Sequence, residues 1–137
     1  MREILFKAKR IDNGEWVEGY YLSKYDLLEK EVHFIFSADK HNTWICAEID
    51  PETLCKFTGL CDKNGKKIWE NDILMAHLDD DYPEDVTYET VEWNFAGWVG
   101  HETGCTDREY LDEFDLEHFE VVGSIFDNKE LLQEDTE

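Results

Sequence analysis

The stretch Ile49-Asp50-Pro51-Glu52-Thr53-Leu54-Cys55-Lys56-Phe57-Thr58-Gly59-Leu60, continuing Cys61-Asp62-Lys63-Asn64-Gly65-Lys66-Lys67-Ile68-Trp69-Glu70-Asn71-Asp72-Ile73-Leu74, decides the fold class. Its apolar runs are short, and two turn signals, Asp50-Pro51 and Asn64-Gly65, punctuate them. That pattern suits compact β structure and not a long helix. Thr53 to Phe57 predicts a short strand, Gly59 a sharp change of direction, and Asn64-Gly65 a tight turn into Lys67-Ile68-Trp69. Ile73 to Leu78 reads as a core strand entered through Asn71, a residue that adopts left-handed backbone more easily than most.

Outward from that segment the alternation continues. Residues 4 to 22 predict a β-hairpin closed by Asp12-Asn13-Gly14, with Ile4 to Arg10 as an edge-like strand showing its lysines to solvent. Val32 to Ser37 and Thr43 to Ile49 are rich in β-branched and aromatic residues and read as two more strands. Asp50-Pro51 ends the second, because proline offers no ladder donor. Ser23 to Glu31 is polar and has no clear period. Val86 to Trp93 and Trp98 to Gly100 form a third hairpin about Asn94 to Gly97, and Phe119 to Phe126 is the last strand. Asp107 to Phe114 carries Tyr110, Leu111 and Phe114 at helical spacing, and Asp127 or Asn128 would cap a short helix over 127–133.

The 137 residues suffice for one domain with its own core, so no disulfide or metal is needed for stability. Five tryptophans spread along the chain supply large apolar side chains. Cys46, Cys55, Cys61 and Cys105 form no CxxC pair, the N-terminus has no apolar signal region, and no apolar run approaches the ~18 residues of a membrane span. A cytoplasmic protein with free thiols is the expectation, with no membrane partner.

The net charge of −21 is unevenly placed. Residues 1–70 hold 13 acids and 11 bases, net −2; residues 71–137 hold 21 acids and 2 bases, net −19. Such a surface repels phosphates, so direct nucleic-acid binding is not expected, and basic proteins are the natural counterparts. Asp79, Asp80, Asp81, Glu84, Asp85, Asp112, Glu113, Asp115 and Glu117 form the candidate acidic partner surface, with Asp79 to Asp85 an exposed loop.

Catalytic and cofactor readings find little support. The spacings of Cys55 with Cys61 and of His101 with Cys105 do not supply paired zinc ligands, and the aspartate cluster lacks the calcium-loop pattern. The three serines lie outside any Gly-x-Ser-x-Gly elbow, and no Gly-rich phosphate loop precedes a helix. Carboxylates are so common that no pair stands out as a glycosidase acid and base. Trp93, Phe95 and Trp98 read as core residues. The expectation is a protein without catalytic, metal or cofactor-binding residues.

Three blocks, in order, resemble the YopX family, small proteins found largely in bacteriophages and prophages. They are Lys9-Arg10-Ile11-Asp12-Asn13-Gly14-Glu15-Trp16-Val17-Glu18-Gly19-Tyr20, the central segment, and Phe119-Glu120-Val121-Val122-Gly123-Ser124-Ile125-Phe126-Asp127-Asn128 before Glu130-Leu131-Leu132. Cys55 and Asn71 stand where the family commonly has glycine, and the Asp79 to Asp85 loop follows no family pattern. The resemblance implies a mainly β, hairpin-rich single domain with an SH3-like barrel component and one or two short helices. Its parts would be a hairpin region 1–49, a signature and barrel region 50–126, and the terminal helix 127–133. It transfers no catalytic residues. The expected task is that of a phage or prophage accessory protein acting through protein contacts, the alternative an acidic decoy that imitates nucleic acid before a basic host protein. A homo-oligomer is possible through an exposed edge strand such as Ile4 to Arg10, although the lysines there argue against a flat, sticky edge.

Overall fold

The computed structural model describes residues 4–38, 41–78, 81–102 and 108–132, the side chains of 113–115 excepted. The chain divides into two compact units, Met1–Phe57 and Thr58–Glu137, with the break inside the central segment. The protein is mainly β, built as two antiparallel sheets with short helical turns.

In the first unit, β1 (Phe6–Lys9), β2 (Trp16–Tyr25), β3 (Glu31–Ala38), β4 (Trp44–Glu48) and the first residues of β5 (Cys55–Cys61) lie in the order β4-β3-β2-β1-β5. The expected hairpin is present: Phe6 faces Gly19 and Lys9 faces Trp16, with Gly14 at φ +73° in the turn. Period-two alternation turns Phe6, Ala8, Val17, Tyr21 and Ile35 to one side, where Ile49 and Leu54 complete a core. Two expectations need correction. β1 is not an edge, because it pairs with β2 on one side and β5 on the other; its lysines lie over the Trp16 ring, at 4.6 Å for Lys7 and 5.5 Å for Lys9. β2 also runs on through Ser23-Lys24-Tyr25, since β3 supplies partners His33, Val32 and Glu31 that local composition could not announce.

The segment after β4 is fixed by side chains. Asp50 accepts from Glu52 N at 3.0 Å and Pro51 opens a 3-10 turn, Pro51–Thr53. The Thr53 hydroxyl donates to Asp50 O at 2.7 Å and accepts from Lys9 N at 2.8 Å, tying that turn to β1. Thr53 therefore belongs to the turn, and the expected strand begins at Cys55. Gly59, at φ +84°, lies within β5 and does not end it.

The second unit takes the rest of β5, β6 (Lys67–Trp69), β7 (Asp72–His77), β8 (Val86–Asn94), β9 (Gly97–Glu102), β10 (Arg108–Tyr110), the helix α1 (Glu113–His118) and β11 (Glu120–Ser124). Its five-stranded sheet has the order β10-β9-β8-β7-β11. Ile68, Leu74, Ala76, Val91, Trp98 and Phe119 form the core, with Leu60, Leu111, Leu116 and Val121 packed on it. The third hairpin is as expected, with Asn94 opposite Gly97. Of the three aromatics read as core, only Trp98 is buried; Trp93 is half exposed and Phe95 fully so. The expected helix over 107–114 is replaced by β10 and the later α1, because Arg108 and Tyr110 find ladder partners in His101 and Val99. The terminal helix is a 3-10 turn, Lys129–Leu132, and the Asn128 side chain reaches back to accept from Ser124 N at 3.2 Å. Neither sheet closes into a barrel of the SH3-like kind: the five-stranded sheet ends on β10 and on β11, whose pairing with β7 shifts register between Val121 and Gly123.

The Asn64-Gly65 turn is organised by Asp62, which is almost wholly buried. Its carboxylate accepts from Asn64 N and Lys66 N, both at 2.9 Å, and from Val121 N in β11 at 2.9 Å. Burial pushes this carboxyl up, but the Val121, Lys66 and Asn64 donors together with the Lys66 charge outweigh it and hold it below the usual carboxylate range. Asn71 has φ +69°, as its place before β7 predicts, and its N–H reaches Val91 O at 2.9 Å. Asp72 then accepts from Trp69 N at 2.8 Å.

Two stability measurements test these constraints. A Cβ at Gly19 would overlap the Phe36 carbonyl, a backbone atom with no room to retreat. Gly19→Ala is expected to cost more than about 2 kcal/mol in urea unfolding, against about 1 kcal/mol for Gly14→Ala at an open turn. Because the folded-state pKa of Asp62 is depressed, its contribution is present above the unfolded-state pKa and is lost as pH falls through the folded one. Asp62→Asn should therefore cost on the order of 3 kcal/mol near neutral pH, a deficit that narrows across the acid limb of a pH–stability series.

Candidate interaction surfaces

The core of the first unit takes one face of its sheet and leaves the other to solvent. The alternate residues of β2 on that outer face are Trp16, Glu18, Tyr20, Leu22 and Lys24. In register with them stand Phe36 opposite Tyr20, Phe34 opposite Leu22 and Val32 opposite Lys24. β4 adds Trp44, Cys46 and Glu48 opposite Ala38, Phe36 and Phe34. Tyr20 is 59% and Trp44 62% exposed, unusual for rings of that size. A groove of about 610 Å³ includes both in its lining, together with Trp16, Gly19, Phe36 and Ser37. The signal for this face was in the sequence: Tyr20-Tyr21-Leu22 is apolar on both alternations, which a sheet with one solvated face does not require.

At the far end of the β2–β3 hairpin, Asp26 organises the turn. Its carboxylate accepts from Leu28 N at 2.8 Å and Lys30 N at 3.0 Å, while Glu29 takes φ +61°. The result is a fixed tip that holds Leu27 at 103% and Leu28 at 87% exposure. The β8–β9 tip of the second unit is comparable: Phe95 is 98% exposed at φ +46°, a left-handed conformation that costs a bulky residue free energy. Sequence reading missed both tips, since leucines and a phenylalanine in turns look like strays from the core.

The acidic candidates divide into two segments. Asp81, Glu84 and Asp85 lie exposed between β7 and β8, where Asp85 N reaches Tyr82 O and Leu78 N reaches Asp85 O, both at 2.9 Å. Asp112 and Glu117 are exposed about α1. Asp79 and Asp80, and the side chains of Glu113 and Asp115, lie outside the described residues. Elsewhere in this unit Glu92 on β8 joins His101 Nδ1 on β9 at 3.2 Å and Arg108 Nε on β10 at 2.9 Å. Each oxygen of Glu92 takes one of these donors, so the trio clamps three strands together and its carboxylate is poorly placed to act as a general base. Of the cysteines, Cys55 is buried and Cys46 and Cys61 are exposed; Cys105 lies outside the described residues.

A model of the YopX protein family matches residues 5–133. The chain belongs to the YopX family. Among solved structures, the crystal structure of protein EF1440 from Enterococcus faecalis is similar, with a TM-score of 0.56 and 21% identity over 97% of this chain and 100% of that one. At that identity the likeness is one of fold. No curated protein sequence matches this YopX-family chain. Among the described residues no helix is long and apolar enough to cross a membrane.

The tips carry exposed apolar area that belongs to neither core, so its contribution to stability is measurable. Replacing both Leu27 and Leu28 with Ser should change unfolding free energy by less than about 0.5 kcal/mol. Phe95→Gly should raise it by about 1 kcal/mol, because glycine enters φ +46° without the Cβ penalty. Equilibrium urea titrations of the three proteins decide both.

Proposed function

We propose that this YopX-family protein is a phage or prophage accessory protein that acts in the bacterial cytoplasm through protein–protein contacts, without catalysis or a cofactor. The observation that carries the reading is the Leu27–Leu28 tip. Two adjacent leucines are almost fully exposed on a turn whose geometry the Asp26 carboxylate already sets. Pre-organised apolar anchors of this kind lose little conformational entropy on entering a partner's pocket, which is where binding energy concentrates.

A second reading rests on charge. Asp81, Glu84, Asp85, Asp112 and Glu117 are exposed in the half of the chain that carries −19. Carboxylates so placed would be steered to a basic, nucleic-acid-binding protein and would occupy its cleft in place of phosphates.

Capture from a host lysate separates the two. The immobilised protein and its Leu27→Ser/Leu28→Ser variant are compared at about 50 mM and about 500 mM salt, where long-range attraction is respectively strong and screened. For the first reading, the retained partner survives high salt and is lost from the tip variant by at least about tenfold. For the second, basic proteins are retained by both forms at low salt, released at high salt and displaced by added DNA. Identical retention by both forms at high salt would overturn the tip reading.

A further inference from the structure

We propose that the open edge of β4 pairs with the same edge of a second copy of this chain, joining two first-unit sheets into one across a two-fold axis at Ile45. The inference rests on the phase of backbone hydrogen bonding at that edge and is independent of the partner contacts proposed above.

The strand order leaves β4 at one end of its sheet. Ile49 N donates to His33 O at 2.9 Å, and the β3–β4 register continues to that pair. His33 and Ile49 are thus a hydrogen-bonded pair, and by alternation so are Ile35 with Ala47 and Ser37 with Ile45. The backbone groups of Trp44, Cys46 and Glu48 therefore point away from β3, into the lane beside the sheet. Glu48 bears this out, because its carbonyl accepts from Ile11 N at 3.0 Å across that lane. Arg10 bridges Ile49 in antiparallel fashion and Asp50 N donates to Lys9 O at 2.9 Å, so the lane is filled from Glu48 onward. Trp44 to Cys46 stays open.

Nothing blunts this stretch. Natural edge strands carry lysine, proline or a bulge that discourages strand addition. Here the lysines stand on β1, which is paired on both sides. Trp44-Ile45-Cys46 is uncharged, holds no proline and keeps its register with β3, and all three residues are exposed.

The shape of the opening selects the occupant. An antiparallel strand in this lane has to leave it before the position opposite Glu48, which Ile11 occupies. A strand running straight on would collide with Ile11. With the axis at Ile45, the residue due opposite Glu48 is Asn42, which lies outside β4 and turns away at φ +61°. β4 is therefore short at the end where its partner has to be short. In the two-fold pair, Trp44 of each copy stands opposite Cys46 of the other and exchanges both backbone bonds with it. Ile45 meets Ile45 at the axis as a non-hydrogen-bonded pair, with apolar side chains in contact. No charged residue enters the paired stretch. The contact is small and belongs to the weak class of interfaces, populated at high protein concentration.

The test reads the phase. Amide hydrogen exchange is followed by NMR on the full chain, where the Trp44 and Cys46 amides are expected to slow at least about threefold between about 20 µM and about 1 mM. The Ile45 amide, already bonded to β3, is the reference. In a Cys46→Ser, Cys61→Ser, Cys105→Ser background, Ile45→Cys should give a disulfide-linked dimer under mild oxidation with diamide, since Cα atoms ~4.5 Å apart lie within disulfide reach. Trp44→Cys in the same background, two residues out of register with its counterpart, should cross-link at least about fivefold less. Cys46→Pro removes an outward donor without costing a bond to β3, and Ile45→Lys sets like charges together at the axis. Each should abolish the concentration dependence at Trp44 while circular dichroism shows the sheet intact. Exchange that is the same at both concentrations, equal cross-linking at positions 44 and 45, or concentration dependence that survives both substitutions overturns the proposal. So does an assembly larger than a dimer in sedimentation equilibrium at the upper concentration.

Discussion

The Asp62 carboxylate is the constraint on which the second unit depends. One side chain takes three backbone N–H groups: two close the turn after β5, and the third belongs to Val121, 59 residues later. The third bond matters most, because it ties a local turn to the last strand of the sheet. Nearby, Lys63 N reaches Phe119 O at 3.1 Å, and Ile125 N reaches Asn71 O at 3.0 Å. Two left-handed or polar turn positions, at Asp62 and Asn71, thus hold β11 against the segment that precedes β7. Removing the acceptor would leave buried donors unsatisfied, which costs more than the net worth of the bonds themselves.

The first unit solves a similar problem with a hydroxyl and a carboxylate. Asp50 and Thr53 bind each other and the end of β1, so the Pro51 turn is anchored at both ends before β5 begins. These anchors leave the hairpins to project from fixed bases. What the hairpins carry is apolar and exposed, in Leu27, Leu28 and Phe95, and one of these residues sits in a conformation its side chain disfavours. Free energy spent in that way at a tip is more naturally associated with contact than with folding.

Much of the fold was legible. Asn13-Gly14 and Asn64-Gly65 place glycine at φ +73° and +80°, and each turn joins strands that local alternation had already marked. The candidate acids Asp81, Glu84, Asp85, Asp112 and Glu117 are exposed, as the cost of burying unpaired carboxylates requires. The errors have a common origin. Ser23-Lys24-Tyr25 became strand, Arg108 to Tyr110 became strand, and Ile4 to Arg10 lost its edge because partners distant in sequence offered ladder bonds. Local propensity spans only ~1 kcal/mol per strand residue and yields to such pairing.

By itself the sequence determined the mainly β class, most of the strands and their turns, the asymmetry of charge and the family, since these follow from residue type and spacing within short windows. Only the tertiary structure decided which strands are edges, that the sheets stay open, and which aromatics face water. Trp93 and Trp98 illustrate the point: cross-strand neighbours in one hairpin, with rings 5.0 Å apart, one is half exposed and the other buried. Alternation and register put both rings on one face of the sheet. How far along that face the core extends is settled by the elements that pack on it, and those are brought there by the chain's long-range contacts.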